Sequence, residues 1–251
     1  MQSVLDRMYG GRTRVFGHRG AMGYAPMNTL PAFELAAQQG ADGVELDVRL
    51  TSDGALVILH DSTVDGTSNG RGAVAEMTLA QVRELDAGAW FDPKFAGTRI
   101  PTLSEVFEAI GQRLYINVEI KSEGDTEGTG IEQKVADEIA RFGLKERVIV
   151  SSFDPMVLHR FRAVMPDVPI GFLYETNTPD TITSLMADLP HEARHPYFQQ
   201  IDADYMAWAK AQGYRVNTWT VNDPVKAVEL RDLGVDAIIT NYPDKIIAAL
   251  G

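Results

Sequence analysis

The feature that most constrains this chain is an alternation of short apolar runs with longer helical patterns, sustained almost from end to end. Strand-like runs fall at Arg14–Gly17, Gly43–Leu50, Tyr115–Lys121, Val148–Ser152, Ile170–Tyr174, Arg215–Val221 and Ala237–Thr240. Helical spacing lies between them at Leu30–Gln39, Leu103–Ile110, Ile131–Phe142, Pro155–Val164, Asp202–Gln212 and Pro224–Leu233. Gly40, Gly143, Gly213 and Gly234 come just past helical patterns, where a left-handed cap is wanted. Such alternation argues for a parallel sheet, because parallel neighbours need a crossover connection. About eight units in a chain of 251 residues predict a closed (β/α)8 TIM barrel rather than an open sheet.

Two stretches depart from the pattern. Residues 51–100 hold a further strand at Leu56–Leu59, a polar, Gly-rich segment from Asp61 to Gly72, and a short helix near Leu79–Leu85. An aromatic loop, Trp90-Phe91-Asp92-Pro93, follows. This is too long for a simple connection. It reads as a small insertion, about 61–100, after the second barrel strand of one domain covering 1–251. Residues 176–200 are mostly polar, with one short strand expected near Ala193–His195.

The polar residues at strand ends stand out against this background. In Leu114–Lys121, Leu114, Ile116, Val118 and Ile120 share one face, while Tyr115, Asn117, Glu119 and Lys121 share the other. In Val44–Val48, Glu45 and Asp47 lie opposite the apolar set. Charged residues facing a barrel lumen are costly unless they pair or hold a metal. They are tolerated at the C-terminal mouth, where barrel active sites lie. His18 and Arg19 close the first strand, and His60-Asp61 follow Leu56–Leu59. Gly17 and Gly20 allow close backbone approach to a ligand beside His18. Two histidines, three carboxylates, an arginine and a lysine make an inventory suited to metal-assisted attack on a phosphate ester.

Composition narrows the alternatives. The chain has no cysteine, so disulfides, thiolate metal sites and cysteine nucleophiles are excluded. An oxygen donor set points to Mg2+ or Ca2+, with Mn2+ also compatible. The formal net charge of −12 argues against nucleic acid and against an anionic membrane surface. Met1–Met8 contains no long apolar run and no small-residue cleavage site, and no stretch approaches the ~20 apolar residues of a span. The expectation is a cytoplasmic protein with no stable membrane insertion. Of the other histidines, His159 reads as a surface or packing residue and His191 as exposed, while His195 stays open as a pocket-wall residue.

Several segments together resemble the glycerophosphodiester phosphodiesterase family. They are His18-Arg19-Gly20, Ala25-Pro26-Met27-Asn28-Thr29-Leu30-Pro31-Ala32-Phe33, Gly43-Val44-Glu45-Leu46-Asp47-Val48, Asp53-Gly54 with His60-Asp61, Ile100-Pro101-Thr102-Leu103, and Asn117-Val118-Glu119-Ile120-Lys121. Late in the chain come Val216-Asn217-Thr218-Trp219-Thr220-Val221-Asn222 and Gly234-Val235-Asp236-Ala237-Ile238-Ile239-Thr240-Asn241. The resemblance implies hydrolysis of a glycerophosphodiester to sn-glycerol 3-phosphate and an alcohol, within lipid and glycerol metabolism. By position it implies His18 and His60 as the catalytic pair, and Glu45, Asp47 and Glu119 as ligands of one divalent cation. Arg19 and Lys121 match the phosphate contacts, and Trp219 an aromatic residue lining the substrate pocket. The partner implied is a small molecule.

Two departures matter. The family's Pro-Glu-Asn-Thr is Pro26-Met27-Asn28-Thr29 here, and an Arg-Thr-Thr after the second histidine is replaced by Asp65-Gly66-Thr67-Ser68. A thioether is a poor partner for a hard cation or a guanidinium, so Met27 raises the alternative of a non-catalytic phosphodiester-binding barrel. A lysophospholipase-D-like activity on longer lipids is a second alternative, with an apolar groove around Trp90, Phe91 and Phe95. The attacking group is left open between water and the glycerol 2-hydroxyl.

Overall fold

Among the described residues nine strands run β1 (Arg14–His18), β2 (Gly43–Leu50), β3 (Leu56–Ile58), β4 (Tyr115–Ile120), β5 (Val148–Ser152), β6 (Ile170–Tyr174), β7 (Ala193–Pro196), β8 (Arg215–Thr218) and β9 (Ala237–Thr240). The computed structural model describes residues 4–122 and 130–251. All strands but β3 pair in parallel, in the order β1-β2-β4-β5-β6-β7-β8-β9, and β9 returns to β1 to close the barrel. This is the expected (β/α)8 TIM barrel. The helices are α1 (Val4–Tyr9), α2 (Leu30–Gln38), α3 (Leu79–Arg83), α4 (Leu103–Ile110), α5 (Ile131–Arg141), α6 (Pro155–Val164), α7 (Asp180–Asp188), α8 (Ala203–Gln212), α9 (Pro224–Leu233) and α10 (Pro243–Leu250).

Local chemistry explains where these helices begin and stop. Asp154, Asp202 and Asp223 each accept a backbone N–H at the start of α6, α8 and α9, satisfying donors that the first turn leaves free. Gly213 and Gly234 end α8 and α9 in the left-handed conformation. Outward-facing strand residues such as Val44, Leu46, Val48, Ile116 and Val118 pack on Leu103, Phe107, Val135 and Ile139 of the surrounding helices. The alternation read in β2 and β4 therefore places their charged faces in the lumen.

Three differences from the sequence reading have physical reasons. Helix α1 is six residues long, too short to hold itself, and forms because Leu5, Met8 and Tyr9 seal the lower end of the barrel. Helix α7 occupies a stretch expected to lack one; its Thr and Ile residues favour helix weakly, but buried Met186 anchors it to the core. The run expected to continue to Val221 leaves the β8 ladder at Thr218.

Strand β3 folds back antiparallel on β2, pairing Val48 with Ile58 and Leu50 with Leu56. Beyond it, Val57, Leu59, Val64, Val74, Val82, Ala87 and Ile100 form a separate small apolar cluster. Asp86 ties this excursion by accepting the backbone N–H groups of Gly88, Ala89 and Gly97. No helix among the described residues is long and apolar enough to cross a membrane.

Candidate active site

Strand register assembles the site. β1 pairs with β2 only as far as His18 opposite Glu45. The upper half of β2 is thus left open on that side, and β3 takes it. Because β3 runs downward, it delivers the chain back toward the end of β1: Leu59 donates to the Asp47 carbonyl, and His60 comes next. Two histidines far apart in sequence are brought to the same edge of β2 by one antiparallel return. On the other edge, Asp47 stands opposite Glu119 of β4.

His18, Arg19, Glu45, His60, Glu119, Lys121 and Trp219 line one cavity of about 190 Å³, with Phe153, Leu173 and Ile239 on its apolar side. Asp47 lies fully buried beneath it. Every residue expected at the site from the sequence is therefore in or directly under this cavity.

Asp47 is the hub. Its Oδ2 is 3.2 Å from Arg19 Nε and accepts from Asn28 Nδ2 at 2.8 Å, while its Oδ1 is 3.1 Å from Lys121 Nζ. Lys121 also donates to Glu119 at 2.7 Å. Burial alone would raise Asp47, yet Lys121 and Arg19 hold it well below the usual carboxylate range. Burial raises Glu119 to about 7 despite Lys121, with the Asp47 charge adding to the rise. Burial, then Asp47 and Glu119, push Glu45 well above its ordinary value.

Two cationic side chains thus leave three buried carboxylates under-compensated. Glu45, Asp47 and Glu119 each offer an oxygen, all within 4.8 Å of one another. A hard divalent cation fits this donor set, and its charge would relieve the repulsion that raises Glu45 and Glu119.

The turn after β1 is built for this arrangement. Arg19 and Asn28 have φ of 52° and 58°, the only positive values for non-glycine residues among those described. That conformation costs Arg19 about 1–2 kcal/mol and Asn28, whose short amide tolerates it, less. It lets Arg19 N–H reach Glu45 Oε2 at 3.0 Å and Asn28 bond Asp47. Gly20, at φ 82°, follows so closely on Ala32 that a Cβ would lie 2.5 Å from that residue's carbonyl carbon. The Met27 sulfur accepts from Arg19 Nη1 at 3.4 Å, in place of the carboxylate partner that the family pattern suggested.

The two histidines differ in setting. His18 is nearly buried, with Nδ1 2.8 Å from Asn241 Oδ1 and Nε2 3.9 Å from Glu45 Oε2. Burial, then Arg19, push it down to about 4. His60 is about one-third exposed, and its Nδ1 is 2.7 Å from the carboxylate of Asp61. Burial lowers it too, against the pull of Asp47.

Trp219 walls the cavity, its indole N–H donating to the His195 carbonyl and its ring meeting Phe153 edge to face at 5.5 Å. His195 is not a pocket residue: it is fully buried, accepting at Nε2 from Asn217. His191 is also buried, its ring stacked on Tyr214 at 4.6 Å. Trp90, Phe91 and Phe95 pack edge to face on one another and do not line this cavity.

Sequence reasoning assigned no role to Asn28, to Asn241, or to Arg49, whose guanidinium holds the His60 carbonyl at 2.6 Å. Asn28 carried one signal, its place directly after Met27 in a matching motif. Arg49 carried none, since an arginine on β2 reads as a solvated charge.

Residues 18–245 match the Glycerophosphoryl diester phosphodiesterase family. The chain is 41% identical to a glycerophosphodiester phosphodiesterase of Caldanaerobacter subterraneus subsp. tengcongensis, over 94% of this chain and 97% of that protein. It is 35% identical to one of Bacillus altitudinis, over 94% and 97% of the two chains. Among solved structures, a phosphodiesterase of Oleispira antarctica in complex with the product sn-glycerol-3-phosphate superposes with a TM-score of 0.82 at 32% identity, covering 96% of this chain and 98% of that one. A glycerophosphodiester phosphodiesterase from Agrobacterium tumefaciens gives the same TM-score at 28% identity, covering 94% and 99%.

Proposed function

The chain belongs to the glycerophosphoryl diester phosphodiesterase family, a family of phosphoric diester hydrolases, and from that premise we propose that it hydrolyses glycerophosphodiesters to sn-glycerol 3-phosphate and an alcohol, with His18 and His60 as a base–acid pair beside one divalent cation. The observation that carries this reading is the single cavity shared by both histidines, two of the three carboxylates, Arg19 and Lys121. The product held by the Oleispira antarctica neighbour supports sn-glycerol 3-phosphate as the retained half.

Glu45, Asp47 and Glu119 would hold Mg2+ or Ca2+, which supplies Lewis-acid charge to a phosphoryl oxygen when bound. Arg19 and Lys121 face the same space and offset the charge of the diester. His18 is neutral near pH 7, since burial and Arg19 hold it at about 4, so Nε2 is free to take a proton from the attacking group. That group is either water, which gives sn-glycerol 3-phosphate directly, or the glycerol 2-hydroxyl, which gives a cyclic phosphate that water then opens. As the new P–O bond forms, the bond to the alcohol oxygen breaks, and His60 gives that oxygen a proton. Burial holds His60 below its ordinary value, and buried Asp47 with the Asp61 carboxylate on Nδ1 are the groups that support the imidazolium this requires. Phe153, Leu173 and Trp219 shield the opposite wall. The thioether of Met27 takes up the Arg19 guanidinium and displaces neither histidine nor carboxylate, which favours turnover over binding alone.

The test is release of sn-glycerol 3-phosphate from a panel of glycerophosphodiesters, with and without a chelator. Turnover should stop after exhaustive chelation and return with Mg2+ or Ca2+. Added metal should also raise the melting temperature, by about 2.7 kcal/mol of stability at one hundred times Kd, and Asp47→Asn should abolish that gain. Full activity without metal would defeat the cation's part in the reading.

A further inference from the structure

Asn222 and Asn241 both lie in segments that matched the family, yet neither entered the chemistry above. The structure connects them to His18. β1 and β9 pair with Gly17 opposite Thr240, so the next residues outward, His18 and Asn241, leave the barrel side by side. Asn241 Oδ1 lies 2.8 Å from His18 Nδ1. An amide oxygen has lone pairs and no proton, so this contact requires the proton to sit on Nδ1. Nε2, on the cavity side, is then left with its lone pair.

Asn241 is itself clamped by its main chain. Its N–H donates to Asn222 Oδ1 at 2.9 Å, and its carbonyl accepts from Gly23 N–H at 3.0 Å. The hydroxyl of Thr240 donates to the same Asn222 oxygen at 3.2 Å. Asn222 belongs to the loop that follows Trp219, and Val221 N–H bonds the Ile239 carbonyl to keep that loop on β9. Both chain segments carrying the contact are therefore fixed on either side of it. His60 is served differently, by the carboxylate of its own sequence neighbour.

We propose that Asn241 is a positioning residue that holds His18 in the Nδ1–H tautomer with Nε2 free on the reacting side, and that Asn222 holds Asn241 in place. This rests on the reading of His18 as the base. An imidazole free to turn or to exchange tautomers would present a lone pair to the attacking hydroxyl only part of the time. The loss should then fall on kcat, because the substrate and the cation touch other groups.

The experiment uses the Mg2+-loaded full chain with sn-glycero-3-phosphocholine. Asn241→Ala should lower kcat by roughly 10–100-fold while KM and the metal-induced melting shift stay within about twofold of wild type. Asn241→Asp keeps an acceptor at the same distance and should recover most of the loss. Asn222→Ala, which leaves the His18 contact in place but loosens it, should give a smaller kcat defect. Nitrogen-15 spectra of histidine-labelled protein at pH 8 should show a protonated Nδ1 and a bare Nε2 for His18, and in Asn241→Ala a mixture.

A wild-type spectrum with the proton on Nε2 would overturn the proposal whether or not the variants fold. So would an unchanged kcat in Asn241→Ala, or a loss confined to KM. Near wild-type turnover in His18→Ala would instead sink the reading of His18 as base, which is a separate failure.

Discussion

The two ends of the barrel are made from the same strands and have opposite interiors. At the lower end, Phe16, Ile149, Ala193 and Ala237 turn inward and α1 covers them with Leu5, Met8 and Tyr9. At the upper end the same alternation turns Glu45, Asp47 and Glu119 inward, buried but charged. The lower end gains stability by removing apolar surface from water, about 1.5–3 kcal/mol for each large side chain. The upper end spends stability on desolvated carboxylates and two left-handed residues, and gains a preorganised charge distribution. One scaffold thus separates what keeps it folded from what it does, along a single axis.

The largest effect that could break this separation is at the mouth. His18→Ala and His60→Ala should each lower turnover by at least ~10²-fold, with melting temperatures close to wild type. The double variant should lose far less than the product of the two, since both groups serve one coupled step. If either single variant keeps near wild-type kcat, that histidine is not the acid or base.

At the floor the pattern should invert. Met8 is fully buried, and Met8→Ala should cost about 2–5 kcal/mol of stability while the folded fraction keeps its kcat. A fall in kcat without a fall in stability would mean that the plug communicates with the mouth.

Acid should act on the two buried histidines of the lumen. His18 and His195 are pushed down to about 4 and about 3 by burial, so both are neutral in the folded chain and protonated when it unfolds near pH 5. Their contribution to stability is present above the unfolded value near 6.5 and is lost as pH falls toward the folded values. Each should add a slope of up to about 1.4 kcal/mol per pH unit in that window. Glu45 and Glu119, raised by burial, bind protons in the folded chain over the same range and act with the opposite sign. The check is therefore a comparison of denaturant midpoints between pH 7 and 4, in which the slope of wild type should exceed that of His195→Leu by up to about 1.4 kcal/mol per pH unit.

The smallest effect tests Met27. If its sulfur is a weak substitute for a carboxylate on Arg19, Met27→Glu should raise kcat/KM by roughly tenfold on glycerophosphodiesters. An unchanged value would show that the sulfur contact suffices. Turnover that appears only in the variant would return the chain to the binding-only alternative.

What could be read along the sequence was whatever depends on neighbours. Period-two alternation put Glu45 with Asp47, and Glu119 with Lys121, on one face of their strands, and capping glycines marked helix ends. Those patterns are local, so the barrel and its charged lumen follow from them. Contacts between distant segments carry no such signature. Nothing in Leu56–Leu59 says that it folds back to set His60 beside His18, since that depends on β1 ending three residues before β2 meets β3. Nothing in residues 4–9 says that a lone turn of helix will hold, because its stability comes from a lumen that other strands enclose. His191 and His195 look polar in sequence and are buried, the first under the ring of Tyr214 and the second within the closed sheet. The partner of His18 lies 223 residues away, chosen by closure of β9 on β1, and only the register of that last pair of strands decides which atom of His18 faces the substrate.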